Sequence, residues 1–334
     1  MVEVDQVAQI TFDQAAENFL AWSRAHHRAA TTALHQNNLR ALSRYFSGVP
    51  FAAVTRRAVE AFKLSRLQDR RRGFRWKSPS ESRRTVSVVT VNRALTTLKL
   101  MYALAVRSGE FPGLVNPAAQ VVRFRERGWM RVISRREEAR YFAAIRCENL
   151  RDVARLMLET GIRPQEAMSL RAKDIDLKRR LVHIAAPDRA PAIMGKTFNA
   201  ARSLPLNGAA LAVLERRMMN HAGGCAHDAW RPGRFQPEAF LFPSESKTGR
   251  LECLAKTHHR AVRRARISPP FRLYDLRHTF ATRAAELGVA LPVLAALLGH
   301  SEISMTMRYV HPQADAMRAA IRRIEKGVRP RKKR

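Results

Sequence analysis

The spacing of apolar residues in the first third of the chain predicts a series of amphipathic helices. Between residues 12 and 25 the apolar side chains recur three or four positions apart and so share one helical face. Thr11 precedes this segment and Gln14 follows three positions later, which is the spacing of a capping box at a helix start. The same periodicity predicts further helices at about 32–47, 55–70 and 88–107. Together these helices predict a compact helical domain over residues 8–117.

The pattern becomes mixed after Asn116 and Pro117, which end the helical domain. Residues 118–131 are interpreted as a linker, and residues 132–327 as a second domain. Short apolar runs predict strands at 181–186 and at about 192–205. Helices are predicted at 135–146, 150–160, from Pro164 onward, and at 208–221, 254–265, 275–287, 292–298, 302–309 and 313–326. The fold class is therefore mainly α with a small β-sheet, followed by a basic tail over residues 328–334.

The charge of the chain points to a polyanionic partner. Lys and Arg number 61 against 28 Asp and Glu, a formal net charge of +33, while 46% of the residues are hydrophobic and can fill real cores. The excess positive charges repel one another in the folded protein, and binding to a polyanion relieves that repulsion. Nucleic acid is the polyanion that this charge favours. A membrane surface is also anionic, but no apolar run reaches the length of a spanning helix, and the first residues do not resemble a signal peptide. We expect a cytoplasmic protein with no membrane partner.

A basic stretch between the third and fourth predicted helices, QDRRRGFRWKSPSESRR, is interleaved with two aromatic residues. It is either a solvated loop or a loop that follows DNA phosphates, and the net charge favours the second interpretation. The predicted DNA-binding residues lie in this loop and on the helix after it: Arg70, Arg71, Arg72, Arg75, Lys77, Arg93 and Lys99.

The cysteines predict neither disulfides nor a metal site. The three cysteines are far apart in the chain, which is no disulfide framework and fits a reducing compartment. Cys225 has His221 and His227 nearby, but no second pair of ligands has the spacing of a zinc finger. We therefore expect no metal and no cofactor.

Cleavage of a phosphodiester without a metal requires fixed cations at the phosphate oxygens, an in-line nucleophile and an acid for the leaving oxygen. Arginine suits the first task because its planar fork binds phosphate oxygens in pairs. The second domain offers such groups, each of which is commonplace alone: Arg163 between Gly161 and Pro164, Lys196 near a predicted hairpin, Tyr274, Arg277 and His278 at a helix start, His300 after Gly299, and Tyr309 near the end of a short helix.

Their order along the chain resembles the tyrosine recombinase, or phage integrase, family. The family pattern has five parts in order: TGxRxxE, a hairpin lysine followed by RxVPL, HxLRHTFAT, LLGH, and a tyrosine before a histidine. In this chain the corresponding segments, in the same order, are TGIRPQE, GKTFNAARSLPL, YDLRHTFAT, LLGH and RYVH. The resemblance spans residues 130–312. The first domain, with TVNRALTTLKLMYALA and NPA, is similar to the family's SAM-like core-binding domain. The resemblance implies a mixed α/β catalytic domain of the DNA breaking-rejoining type.

The resemblance also implies roles for the residues of the motifs. Tyr309 would attack the scissile phosphorus and form a 3′-phosphotyrosine link. Arg163 and Arg277 would hold the non-bridging oxygens, His300 would bind the same phosphate, and Lys196 would protonate the leaving 5′-oxygen. Because the phosphotyrosine bond conserves the energy of the phosphodiester, neither ATP nor a metal would be required.

Three further positions complete the expected site. Glu166 and His278 match the acid and the histidine that follow the two family arginines, and we expect both to orient their neighbours. Tyr274 stands where the family pattern has a histidine, so the group that accepts the proton of Tyr309 is left open. An unperturbed phenol has a pKa of about 10, far above that of imidazole.

The family resemblance implies double-stranded DNA with inverted-repeat target sites as the partner, a homotetramer on synapsed DNA, and a monomer or dimer in free solution. We expect a prokaryotic, nucleoid-associated protein, and, since the first predicted helix begins at residue 12, no separate arm-binding domain before it. Two alternatives stay open: a type IB topoisomerase, which shares this chemistry, and a catalytically silent DNA-binding regulator.

Overall fold

A computed structural model of the chain describes residues 10–69, 85–126, 128, 130–184, 201–219, 237–309, 318, 321, 322 and 325. The described residues fall into two compact units that divide at Gly128. The domain boundaries drawn from the sequence stay a prediction. Several residues discussed above lie outside the described part of the chain: the predicted sites Arg70, Arg71, Arg72, Arg75, Lys77 and Lys196, the rejected metal ligands His221, Cys225 and His227, and the tail 328–334.

The described part of the first unit is built from helices, as its periodicity predicts. These are α1 (Phe12–His26), α2 (Ala29–Phe46), α3 (Arg56–Gln68) and α4 (Val88–Ser108). The predicted capping box is confirmed, since the Thr11 side chain accepts from the Gln14 backbone and the Gln14 side chain accepts from the Thr11 backbone. Helix α2 begins three residues before the predicted start, so the apolar pattern predicted the middle of this helix more accurately than its first residue.

Aliphatic and aromatic side chains together form the core of the first unit. The ring of Tyr102 stacks on Phe51 with centroids 4.1 Å apart, and its hydroxyl donates to the Phe51 carbonyl at 2.8 Å. Both rings are fully buried. The polar end of Tyr102 is thereby satisfied inside an apolar core, which keeps its burial favourable.

The segment that the sequence assigns to a linker begins within this core. Ala118 and Val121 are buried in it. Asn92 on α4 donates to the Phe124 carbonyl at 2.8 Å and accepts from the Phe124 amide at 2.9 Å. Residues 118–124 therefore pack on the helices before them, because two apolar side chains and both ends of the Asn92 amide hold the backbone there.

The second unit mixes helices with a small sheet. Its helices are α5 (Arg135–Ala144), α6 (Glu148–Thr160), α7 (Pro164–Met168), α8 (Gly208–Met219), α9 (Ala255–Arg264), α10 (Asp275–Glu286), α11 (Leu291–Leu298) and α12 (Ser304–Met307). The capping box of Ser134 and Glu137 is present at the start of α5, as predicted. The helix predicted at 313–326 lies mostly outside the described residues.

The sheet is antiparallel, in the order β1 (Ile175–Asp176), β2 (Leu181–Ile184), β3 (Arg202–Pro205). Val182 pairs with Leu204 across the hairpin, and both side chains are buried. The sequence did not predict β1, because two residues are too short to show a period of two. The prediction of a mainly α fold with a small sheet is confirmed for the described residues.

Helix α6 lies at the centre of the second unit and packs against α7, α8 and α10. Its buried residues occupy several faces, which marks a core helix rather than a surface one. The end of α6 is thereby held against α10, where the site described below is found. No helix of the described residues is both long and apolar enough to cross a membrane.

Candidate active site

The site begins where α6 ends, at a glycine that no other residue could replace without strain. Gly161 has φ +68°, a left-handed conformation that side chains disfavour. A Cβ atom on Gly161 would lie 2.5 Å from Cδ1 of Phe280 on α10. The glycine thus permits the close approach of α6 and α10, which places its carbonyl within reach of Arg277.

Arg277 is fully buried on α10 and is held by backbone carbonyls. Its Nη1 donates to the Gly161 carbonyl at 2.7 Å and its Nη2 to the Leu298 carbonyl at 2.6 Å. Burial, together with repulsion by Arg163 and Arg202, lowers the pKa of Arg277 to about 10. The guanidinium therefore stays charged at neutral pH, and the two carbonyls that hold it carry no formal negative charge.

Arg163 directly precedes α7, and its side chain contacts the carbonyl of Gly299, the residue after Leu298. Its Nη2 donates to the Gly299 carbonyl at 3.0 Å, and its Nη1 donates to Glu166 at 2.7 Å. Because Leu298 and Gly299 are consecutive, the guanidinium groups of Arg163 and Arg277 are anchored side by side at the end of α11. The arrangement presents two fixed cations to one small volume.

His300 follows the left-handed Gly299 that ends α11, as the sequence predicts. Its Nε2 lies 3.2 Å from Nη2 of Arg277 and its Nδ1 lies 2.8 Å from the Thr306 hydroxyl. Arginine only donates, so Nε2 must accept and Nδ1 must carry the proton. Burial, followed by the charges of Arg277 and Arg163, lowers the pKa of His300 to about 4.

Tyr309 is almost completely buried, with 3% of its surface exposed. Its ring is nearly parallel to that of His300, with centroids 6.4 Å apart, and its hydroxyl lies 2.8 Å from Nδ1 of His278. The prediction of a helix over 302–309 is wrong at both ends, because α12 spans only Ser304–Met307. Tyr309 follows in a turn closed by its amide, which donates to the Thr306 carbonyl at 3.0 Å.

Tyr274 lies at the rim of the same cluster and is 37% exposed. Its ring centroid is 5.1 Å from that of His278 and 5.9 Å from the guanidinium carbon of Arg277. The structure thus brings together every predicted site residue of the second unit that it describes. These residues are Arg163, Glu166, Tyr274, Arg277, His278, His300 and Tyr309.

The sequence from residue 133 to residue 316 matches the family model described as Phage integrase family. The match covers more than half of the chain and includes all the residues of this cluster. The chain belongs to the phage integrase family. The family resemblance drawn from the motifs is thereby confirmed.

Curated members of the family match over part of their length. The integrase of Salmonella phage P22 is 28% identical over 178 residues, which are 53% of this chain and 43% of that protein. The tyrosine recombinase XerC 2 of Ralstonia nicotianae is 31% identical over 178 residues, 51% of this chain and 45% of that protein. This phage integrase family member therefore matches about half the length of these relatives.

Solved structures agree in fold. The Tn1549 transposon integrase in complex with a circular intermediate DNA has a TM-score of 0.71 at 20% identity, and the similarity covers 95% of this chain and 100% of that chain. A lambda integrase dimer bound to a core site has a TM-score of 0.66 at 14% identity, covering 92% of this chain and 79% of that chain. At these identities the likeness shows the shared fold of the phage integrase family.

Arg202 also takes part in this integrase-family site, a role that was not predicted from the sequence. Arg202 on β3 donates from Nη2 to Glu166 at 2.8 Å and from Nε to the Leu297 carbonyl at 2.9 Å. Glu166 thus lies between two arginines. Burial alone would raise its pKa, but the hydrogen bonds from Arg202 and Arg163 lower it below the usual value. Arg202 was visible in the segment RSLPL, but Glu166 is 36 positions away and the pairing could not be read from the sequence.

A second missed feature is the basic face of α9. This helix has no acidic residue, and its exposed positions include Lys256, His259, Arg260, Arg263 and Arg264. The signal was present in the segment KTHHRAVRR. Of the predicted DNA-binding residues on α4, Arg93 is exposed, and Lys99 is exposed with its ammonium donating to the Ala119 carbonyl at 3.1 Å.

Proposed function

We propose that this chain is a site-specific DNA recombinase of the integrase kind, which cleaves and rejoins strands through a 3′-phosphotyrosine intermediate. The observation that carries the proposal is the convergence of Arg163, Arg277, His300 and Tyr309 on the end of α11. Two cations, an imidazole and a phenol within one cluster are the groups that phosphoryl transfer requires.

Each group has a task in the proposed reaction. The guanidinium forks of Arg163 and Arg277 bind the non-bridging oxygens and stabilise the charge that accumulates on them in the transition state. His300 binds the same phosphate, and Tyr309 attacks the phosphorus. Lys196, which lies outside the described residues, protonates the departing 5′-oxygen.

A hydrogen-bond donor of Arg277 that has no partner supports the proposal that a phosphate binds in this cluster. Within the described part of the chain, the Nε atom of Arg277 is buried and has no hydrogen-bond partner. A buried donor without an acceptor costs about 1–3 kcal/mol. A phosphate oxygen supplies such an acceptor, and the cost is then recovered when DNA binds.

The proposed partner is double-stranded DNA with inverted-repeat sites. A net charge of +33 and the basic face of α9 support DNA as the partner. A lambda integrase tetramer bound to a Holliday junction shares the fold, with a TM-score of 0.64 at 14% identity. By analogy we propose a homotetramer on two synapsed sites and a monomer or dimer without DNA, acting at the nucleoid in the cytoplasm of a prokaryote.

The test captures the covalent intermediate from a pool of random sequences. Nicked duplexes with a randomised centre are incubated with the protein, denatured in detergent, and the DNA that remains attached to protein is sequenced. We expect an enriched inverted repeat and an adduct that disappears in Tyr309→Phe. Tyr45→Phe, which changes a partly exposed tyrosine of the first unit, should leave the adduct unchanged.

The outcomes separate the alternatives. An adduct without sequence enrichment, together with relaxation of an arbitrary supercoiled plasmid, would indicate a topoisomerase. DNA binding without any adduct would indicate a regulator that does not cleave. Either result would overturn the proposed recombinase.

A further inference from the structure

The side chains of His278 and Tyr309 form a hydrogen bond inside the site. Nδ1 of His278 lies 2.8 Å from the phenol oxygen, and the ring centroids are 5.6 Å apart. His278 is 8% exposed and Tyr309 is 3% exposed. Among the described residues, this is the one hydrogen bond that the Tyr309 hydroxyl makes.

The direction of this hydrogen bond follows from the environment. Burial raises the pKa of Tyr309, so the phenol keeps its proton at neutral pH. Burial lowers the pKa of His278 to about 4, so the imidazole is neutral. The phenol therefore donates to Nδ1, and His278 carries its own proton on Nε2.

We propose that His278 is the catalytic group that accepts the proton of Tyr309 during strand cleavage and returns it during rejoining. This inference rests on the proposed recombinase function. From the sequence, His278 was expected only to orient its neighbours. The proposal instead makes it the proton acceptor, a role that was left open because Tyr274 replaces the family histidine.

The proton balance of the step is complete. The phenol oxygen forms its bond to phosphorus while its proton passes to Nδ1 of His278. The bond from phosphorus to the 5′-oxygen breaks, and that oxygen takes a proton from the proposed acid, Lys196. In rejoining, a 5′-hydroxyl attacks and passes its proton back to Lys196, the bond from Tyr309 to phosphorus breaks, and His278 returns the first proton to the phenol oxygen.

The neighbouring groups cannot take this role with the same geometry. Both ring nitrogens of His300 are engaged, with Arg277 and with Thr306. The His300 ring also lies nearly parallel to that of Tyr309, with only 11° between their planes. Tyr274 is directed at the edge of His278 and makes no hydrogen bond to Tyr309 among the described residues.

Charges around His278 keep its imidazole neutral before cleavage begins. Arg272, Arg277 and Arg308 lower its pKa, whereas Asp275 on its own helix raises it, and the rings of Tyr274 and Tyr309 contact the His278 ring. A scissile phosphate bound by the arginines would offset part of this positive charge. The transferred proton would then be more stable on His278 in the DNA complex than in the free protein.

The test uses His278→Asn, because the asparagine side chain can place a hydrogen-bond acceptor near the position of Nδ1 but cannot take a proton. Single-turnover cleavage of the duplex selected above is measured in the full-length protein. We expect the rate to fall by about 100-fold or more, the range of general-base catalysis, with DNA affinity unchanged. His26→Gln, in the first unit, is the matched control and should cleave at the wild-type rate.

A chemical readout distinguishes proton transfer from positioning. Replacing Tyr309 with a difluorotyrosine, whose phenol ionises more readily, should restore most of the missing rate in His278→Asn. A 5′-bridging phosphorothiolate, whose leaving sulfur needs no acid, should not restore it.

The inference is overturned if His278→Asn cleaves within roughly threefold of wild type, or if the phosphorothiolate rather than the fluorinated phenol rescues it. His278→Ala, which also removes the hydrogen bond, is the second variant. An alanine variant that loses cleavage while the asparagine variant keeps it would assign His278 to positioning alone. A wild-type protein that forms no adduct would refute the proposed function itself, which is a separate outcome.

Discussion

Arg202 and Glu166 form a doubly hydrogen-bonded ion pair that joins β3 to α7, with distances of 2.8 Å and 3.3 Å between their nitrogen and oxygen atoms. Only 8% of the Arg202 side chain and 17% of the Glu166 side chain are exposed. Since Glu166 also receives a hydrogen bond from Arg163, the pair connects the hairpin strand to one of the proposed phosphate-binding cations.

Arg202→Gln should therefore lower the free energy of unfolding by about 2–3 kcal/mol, since it removes hydrogen bonds to a charged group in a mostly buried place. Urea denaturation measures this change. Arg179→Gln is the control, because the Arg179 side chain is 81% exposed and lies 3.9 Å from its acidic neighbour. Equal stability of the two variants would contradict the importance of the pair.

Gly161→Ala should be strongly destabilising. The new methyl group would lie 2.5 Å from Phe280 in a backbone conformation with φ +68°. The left-handed conformation alone costs about 1–2 kcal/mol, and the clash adds to it. The free energy of unfolding, measured in urea, should fall by more than it does in Gly288→Ala, where φ is +81° and nothing lies within 4 Å. A similar loss of stability in both variants would refute the close approach of α6 and α10.

Tyr274→His should keep or raise the cleavage rate. The family pattern has a histidine at this position, and the 37% exposure of Tyr274 allows a smaller ring without leaving a closed cavity. Adduct formation on the selected duplex measures the rate, with Tyr274→Phe as the control that removes only the hydroxyl. Loss of all cleavage in Tyr274→His would show that the motif is misaligned.

Acid should destabilise the second unit through His258. This residue is 1% exposed, its Nδ1 accepts from the Tyr141 hydroxyl, and its Nε2 donates to the Phe271 carbonyl. Burial lowers its pKa from 6.5 to about 4. Between these two values the unfolded chain binds a proton that the folded protein does not, so the free energy of unfolding falls as the pH falls from 6.5 towards 4.

His258→Gln should reduce this slope by about 1.4 kcal/mol per pH unit, because glutamine does not titrate. Urea denaturation at a series of pH values measures the slope. His183→Gln, at an exposed position on β2, should leave it unchanged. If the slope of His258→Gln matched that of the wild type, another group would be responsible for the acid sensitivity.

The basic face of α9 should contribute to the salt dependence of DNA binding. Replacing Arg260, Arg263 and Arg264 by Gln should reduce the slope of log K against log salt by about 0.9 for each phosphate that the helix no longer neutralises. Fluorescence anisotropy with a labelled duplex at several salt concentrations gives the slope. The single variant Arg179→Gln is again the control. An unchanged slope in the triple variant would exclude this face from the interface.

Much of the fold could be predicted because its signals are local. The capping boxes at Thr11 and Ser134 involve partners three residues apart, and the apolar periodicity of each helix depends on its own residues. The motif order likewise predicted which side chains would form the site. The short strand β1 and the turn that holds Tyr309 escaped prediction, because neither has enough residues to show a period.

By itself, the sequence determined most of the helices, the hairpin of β2 and β3, and most of the residues that meet in the second unit. Only the tertiary structure decided which atoms of those residues touch one another. Arg277 is joined to a carbonyl 116 positions away, and His278 to a phenol 31 positions away. Hydrogen bonds over such separations depend on how α6, α10 and α11 pack, and on the low polarity of the resulting interior, which shifts the pKa of each buried group.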